Sequence, residues 1–291
     1  MELRGVITAL VTPFNNDGSI DEGALRGLVD FQISAGINGI LPMGTTGESP
    51  TLSHGEHIHV IEIVIDQAQG RVPIIAGTGS NCTQEAIEMT QQAMECGADA
   101  SLQVAPYYNK PTQEGFYLHF MTIADSVDIP IIVYNIPGRS GKNIENSTML
   151  RLADHPNIAG VKEASGSIPQ IMDLIKQKPE SFDVVSGDDN LTYPIITLGG
   201  KGVVSVASNF IPKLMVEFVN KALADDFLDA RRIHYRLLPL FKAMFIETNP
   251  IPIKYALVLK EKIKENYRLP LCPLKEESKE AVREIIEGLG L

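Results

Sequence analysis

Eight short apolar, β-branched runs recur about every 25 to 30 residues along this chain, and the stretches between them carry apolar residues at three- and four-residue spacing. The runs are Gly5 to Leu10, Gly39 to Pro42, Pro73 to Ala76, Ala100 to Val104, Ile131 to Asn135, Ile158 to Lys162, Phe182 to Ser186 and Gly202 to Ser205. Between them, Glu22 to Ala35, Gly55 to Ala68, Thr83 to Cys96 and Gln113 to Val127 are each long enough to cross back as a helix. Near-continuous apolar runs are what parallel strands covered on both faces require. Repeated βα units leave two architectures, an open doubly wound sheet or a closed barrel. Eight units favour the barrel, and a chain of 291 residues is long enough for it. No GxGxxG follows the first run, and the nearest glycine pair, Gly77 and Gly79, lacks the third glycine of a dinucleotide loop.

The expected fold is therefore α/β, a (β/α)8 TIM barrel over residues 1–224 with a C-terminal helical annex over residues 225–291 packed on it. Within the annex, Asp225 to Lys242 and Glu276 to Leu289 have helical periodicity. Ala281, Val282, Ile285, Ile286 and Leu289 form one stripe, and the charged residues from Lys275 to Glu280 read as a solvated first turn. Tyr267 to Leu274 holds two prolines and reads as an extended connector, because proline restricts both itself and its predecessor.

Composition narrows the classes of function. With 44% hydrophobic residues the chain is not disordered, and a net charge of −11 with scattered basic residues argues against a nucleic-acid surface. Cys82, Cys96 and Cys272 form no CxxC pair and are odd in number, which points to a reducing, cytoplasmic compartment. The N-terminus shows no basic segment followed by a long apolar core, and no apolar run is long enough to span a membrane.

In a barrel of this kind functional groups gather just beyond the C-terminal ends of the strands. Lys162 closes the sixth run there. Alone it reads as an ordinary snorkelling lysine, or as a buried amine facing a pocket, where desolvation would free a nucleophile able to form a Schiff base. Its neighbours tip the balance. The fifth run ends at Tyr134, one strand away, and a phenol there can relay the protons that imine formation moves. Arg139, five residues further on, presents the planar fork suited to a carboxylate. Gly44-Thr45-Thr46-Gly47-Glu48-Ser49 follows the second run with a free backbone and two hydroxyls. Pro106-Tyr107-Tyr108-Asn109-Lys110-Pro111 pins two aromatics after the fourth run, a fair subunit contact. Convergent polar groups of this sort suggest carbon–carbon bond chemistry on a keto acid.

Gly44-Thr45-Thr46-Gly47-Glu48, Tyr134-Asn135-Ile136-Pro137 and Val161-Lys162-Glu163 resemble the motifs of the dihydrodipicolinate synthase and N-acetylneuraminate lyase family, and the similarity extends through Gly187-Asp188-Asp189, Asn249-Pro250-Ile251-Pro252 and the annex. The resemblance implies a Schiff base between Lys162 and pyruvate, with Tyr134 relaying protons. It implies that Thr45 links Tyr134 to Tyr108 donated by a neighbouring subunit of a homotetramer, a dimer of dimers. Thr46 would hold the pyruvate carboxylate, the backbones of Gly187 and Val204 would line the site, and Arg139 would receive the carboxylate of L-aspartate 4-semialdehyde. No metal and no organic cofactor are implied. Sibling aldolases acting on N-acetylneuraminate or keto-deoxy sugar acids share the lysine and tyrosine, and Arg139 favours the acceptor that bears a carboxylate. A non-catalytic barrel that only binds ligands is the alternative from another class.

Members of this family that are inhibited by lysine bind it at positions matching Ser49, His54, His57, Asn81, Glu85 and Tyr107, which makes L-lysine an expected effector here. Pro50 stands within that set and fixes its own backbone. The HxxHxH pattern of His54, His57 and His59 reads as ordinary helix residues before it reads as a metal cluster.

Overall fold

The computed structural model describes residues 2–291. All eight apolar runs form strands: β1 (Gly5–Ala9), β2 (Gly39–Leu41), β3 (Ile75–Gly77), β4 (Ala100–Val104), β5 (Ile131–Asn135), β6 (Ile158–Glu163), β7 (Asp183–Ser186) and β8 (Gly202–Ser205). They lie parallel in the order β2-β1-β8-β7-β6-β5-β4-β3. A single parallel bridge, Ile40 to Ile74, joins the two ends of that order. Backbone bonds from Ile40 N to Pro73 O at 3.0 Å and from Gly77 N to Pro42 O at 3.0 Å support it. The sheet is thus closed, a (β/α)8 barrel.

Alternation along each strand sorts its side chains. Ile7, Ile75, Leu102, Ile132, Tyr134, Val185 and Val204 point inward and pack together in the barrel. Val6, Ile131, Val133, Val161 and Val184 point outward under the helices. The four helices expected between the first five strands form at Glu22–Ser34, His54–Ala68, Thr83–Glu95 and Gln113–Ser126. The first buries Leu25, Leu28, Val29 and Gln32, the i, i+3, i+4, i+7 stripe that its sequence carries. The second starts at a capping box, in which Ser53 accepts from Glu56 N and Glu56 bonds back to Ser53 N at 3.0 Å. That cap fixes where the loop carrying several candidate residues passes into the helix.

The annex contains the two expected helices, at Phe227–Ala243 and Glu276–Gly288. It also contains a third, Ile251–Leu259, which periodicity did not reveal. Its residues are buried on every side from Ile251 to Leu257, so no polar face marks a 3.6-residue repeat. Pro250 and Pro252 at its start are tolerated because the first-turn amides have no helical partner anyway. The 267–274 connector forms neither helix nor strand, as its prolines predict. Leu240, Phe241, Ile253, Leu257, Val282 and Ile286 of the annex share one hydrophobic cluster with Val6 and Val203 of the barrel. The annex therefore packs on the barrel through a common core.

Candidate active site

Strand alternation explains why Lys162 faces inward: Val161 belongs to the outer layer, so its neighbour must point into the barrel. Tyr134 on β5 is the direct register partner of Lys162 on β6. The pairing puts the Lys162 Nζ 4.0 Å from the centre of the Tyr134 ring. Lys162 is only 6% exposed. Burial disfavours its ammonium and brings its pKa down to about 7, helped by the Arg139 charge and opposed by Asp189 and Asp188. Burial likewise pushes the Tyr134 phenol upward, while Arg139 and the Thr45 hydroxyl pull the other way. The pair is therefore an amine that is substantially neutral near pH 7 beside a phenol that keeps its proton.

A cavity of about 340 Å³ opens above this pair, walled by Thr45, Thr46, Arg139, Gly187, Asp188 and Asn249 among others. Gly187 is needed for clearance. A Cβ there would stand 3.1 Å from Lys162 Cγ, 3.2 Å from its Cε and 2.9 Å from the Ala164 Cβ. Thr45 and Thr46 sit in a short 3-10 turn at Thr45–Gly47 that follows β2. Arg139 sits at the end of β5 in the turn Pro137–Ser140. Most of the residues singled out from sequence therefore meet in one place.

Two do not. Val206, just beyond β8, lines the cavity, and Val204, expected to contribute only its backbone, turns its side chain into the barrel interior with Tyr134. Tyr108 is 89% exposed, outside the cavity of its own chain, and holds a left-handed backbone at φ 68°.

Several residues at this site were given no role from sequence, although Asp188, Asp189 and Asn249 fall in segments that resemble the family. Asp188 lines the cavity, and burial raises its carboxyl against the opposing Lys162 charge. Asp189 is buried and accepts hydrogen bonds from Val206 N at 3.0 Å and Ala207 N at 2.8 Å. Burial pushes its pKa up to about 6. Asn249, Phe241, Lys242 and Phe245 reach the cavity from the annex. Beneath the Thr45–Gly47 turn, Lys254 Nζ meets Glu48 Oε1 at 2.5 Å, and neither side chain has any exposed surface. Glu48 closes the Gly44–Glu48 motif, and Lys254 is marked only as a lysine inside an otherwise apolar stretch.

A second cavity of about 450 Å³ lies alongside, lined by Ser49, Pro50, His54, His57, Glu85 and Tyr107, together with Thr45 and Arg139 from the first. Five of the six residues of the expected effector set thus line one cavity. Asn81, the sixth, holds it from behind by donating to Tyr107 O at 3.2 Å. His54 Nε2 is 3.0 Å from Glu85 Oε1, and the Ser80 hydroxyl donates to the other oxygen of the same carboxylate. The three histidines go to separate partners. His57 bonds Gly77 O at 2.7 Å and is held neutral by burial, whereas His59 turns to Glu22 and Glu62.

A sequence profile of the dihydrodipicolinate synthetase family matches residues 2–289. The chain belongs to that family. It is 53% identical over 292 aligned residues to the 4-hydroxy-tetrahydrodipicolinate synthase of Koribacter versatilis, covering 100% of this chain and 97% of that one. Among solved members of the dihydrodipicolinate synthetase family, the chloride-inhibited dihydrodipicolinate synthase from Acinetobacter baumannii complexed with pyruvate is 45% identical, with a TM-score of 0.98 and 99% of each chain covered. The family enzyme from Cyanidioschyzon merolae with lysine bound is 41% identical, with a TM-score of 0.96 and coverage of 99% of this chain and 98% of that one.

Proposed function

We propose that this protein is a 4-hydroxy-tetrahydrodipicolinate synthase, which condenses pyruvate with L-aspartate 4-semialdehyde in the diaminopimelate route to lysine. The observation that carries this reading is the buried Lys162 amine, with its pKa near 7, packed on Tyr134 at the floor of a cavity rimmed by Thr46 and Arg139. The full-length likeness to the Koribacter enzyme supports the same activity.

The steps follow from the chemistry of these groups. The Lys162 amine attacks the keto carbon of pyruvate, and loss of water leaves an iminium. Tyr134 carries protons in this exchange, and Thr45 couples its phenol to Tyr108 reaching in from a neighbouring copy of the chain. Loss of a methyl proton gives an enamine, whose carbon attacks the aldehyde of the second substrate. The amino group of that substrate then attacks the iminium carbon, closes the ring and releases Lys162. Thr46 holds the pyruvate carboxylate, Arg139 holds the carboxylate of the semialdehyde, and the backbones at Gly187 and Val204 border the site. A Tyr108 that is almost wholly exposed in one chain is suited to a site completed between copies, which supports a homo-oligomer, with a homotetramer the expected form. Among the described residues no helix is long and apolar enough to cross a membrane, in keeping with a cytoplasmic enzyme.

Incubation with pyruvate and borohydride, followed by peptide mapping, tests the reading. The added mass is expected on Lys162, and aspartate semialdehyde is expected to turn over where N-acetylmannosamine does not. Turnover of the sugar alone would transfer the protein to the lyase branch. The pH dependence is equally definite. Only the free amine attacks, so the rate of adduct formation at limiting pyruvate should fall by about tenfold per pH unit below the Lys162 pKa of about 7 and level off above it. A rate still climbing tenfold per unit beyond pH 9 contradicts a desolvated amine.

The second cavity is proposed as a lysine site. Glu85 offers a carboxylate to an ammonium group, and the Cyanidioschyzon enzyme with lysine bound supports lysine as a ligand. Titrated L-lysine should lower the rate saturably, and Glu85→Gln should weaken the effect by about tenfold or more. A flat response in the unmodified enzyme ends the proposal.

A further inference from the structure

Asn249 touches both groups assigned above to substrate carboxylates. Its side-chain Nδ2 donates to Thr46 Oγ1 at 3.0 Å, and its backbone carbonyl accepts from Arg139 Nη2 at 3.1 Å. It borders the cavity, is 4% exposed, and comes from the annex rather than from a barrel strand. We infer that Asn249 is a positioning residue that aims the Thr46 hydroxyl hydrogen and the Arg139 fork into the cavity, an inference that rests on the function proposed above.

A threonine hydroxyl has one hydrogen to donate and two lone pairs to accept with. Asn249 Nδ2 fills an accepting position, and among the described residues Thr46 Oγ1 donates to no protein group. The hydroxyl hydrogen is therefore left for a ligand. A carboxylate has only acceptors, so this polarity matters: a Thr46 hydroxyl that spent its hydrogen on the protein would meet the carboxylate lone pair to lone pair. The Arg139 bond works differently. One of five N–H groups is used on the Asn249 carbonyl, which fixes the plane of the guanidinium and leaves the others for a second carboxylate. Because one contact is through the side chain and the other through the backbone, substitution can separate them.

Asn249→Ala removes the bond to Thr46 and keeps the carbonyl that holds Arg139. The pyruvate concentration giving half-maximal borohydride trapping should rise by about 10- to 100-fold, while KM for aspartate semialdehyde stays within about twofold. Asn249→Asp is the same size but can only accept when ionised, so it draws the Thr46 hydrogen away from the cavity. It should be at least as damaging toward pyruvate as alanine, and it supplies the measurement if the alanine variant fails to accumulate. In a Thr46→Val background, either Asn249 substitution should add little further loss for pyruvate, because the group it aims is already gone.

A purely structural tether predicts another pattern, with both substrates weakened alike and a fall in thermal midpoint that persists in the Thr46→Val background. That pattern, or an unchanged pyruvate dependence in both variants, overturns the inference. Failure to trap any adduct in the unmodified enzyme overturns the proposed function instead, so the two failures are distinguishable.

Discussion

Lys162→Met is expected to lower turnover by on the order of 10⁴-fold or more while leaving the barrel folded. Methionine matches the length of the lysine stem and suits the apolar interior, so the loss isolates the amine. The same variant should be at least as stable as the parent, because the fold penalises the ammonium form of Lys162. The sign of the pH dependence follows. The amine titrates near 7 in the folded chain against 10.5 for a free lysine, so between those values the unfolded chain holds more protons. The penalty is full below pH 7 and fades as the pH rises toward 10.5. Denaturation of the parent and the Met variant across this range should therefore show the variant's advantage shrinking with rising pH. Residual turnover above a few per cent, or an advantage that grows with pH, would contradict a buried catalytic amine.

The largest loss of stability should come from the pair beneath the Thr45–Gly47 turn. Lys254→Met leaves Glu48 buried without its counter-charge, which costs about 3–5 kcal/mol when one partner of such a pair is removed. Glu48→Gln combined with Lys254→Met removes both charges and should recover most of that loss, since a buried ion pair replaced as a unit is often close to neutral. Urea denaturation of the two single variants and the double variant measures this directly. Activity should follow stability in the single variants, because Glu48 adjoins the turn that carries Thr45 and Thr46. A Lys254→Met variant within about 1 kcal/mol of the parent would mean that the pair contributes little.

The barrel was legible in the sequence for a physical reason. Strands buried on both faces need unbroken apolar runs, and the ends of those runs mark where the polar site must lie. Lys162 and Tyr134 stood out because each puts a polar group at the end of such a run, and their register pairing followed from adjacent strands. What could not be read locally was whatever joins distant parts of the chain. Asn249 pairs with Thr46 across 203 positions and Lys254 with Glu48 across 206, and no short pattern encodes either contact. The helix Ile251–Leu259 was hidden because complete burial erases the polar face that gives a helix its period. Val206, just beyond the end of β8, also lines the cavity, and no sequence pattern marked it.

The annex ties also set an order of events during synthesis. The loop that carries Thr46 and Glu48 emerges early, yet its partner lysine follows 206 positions later, roughly 10 to 40 seconds at ordinary ribosomal speeds. Throughout that interval the Glu48 carboxylate has no counter-ion and favours water over the interior. The corner around Glu48 is therefore expected to stay open in the nascent chain until Lys254 has emerged, so that the site takes its final shape late in synthesis.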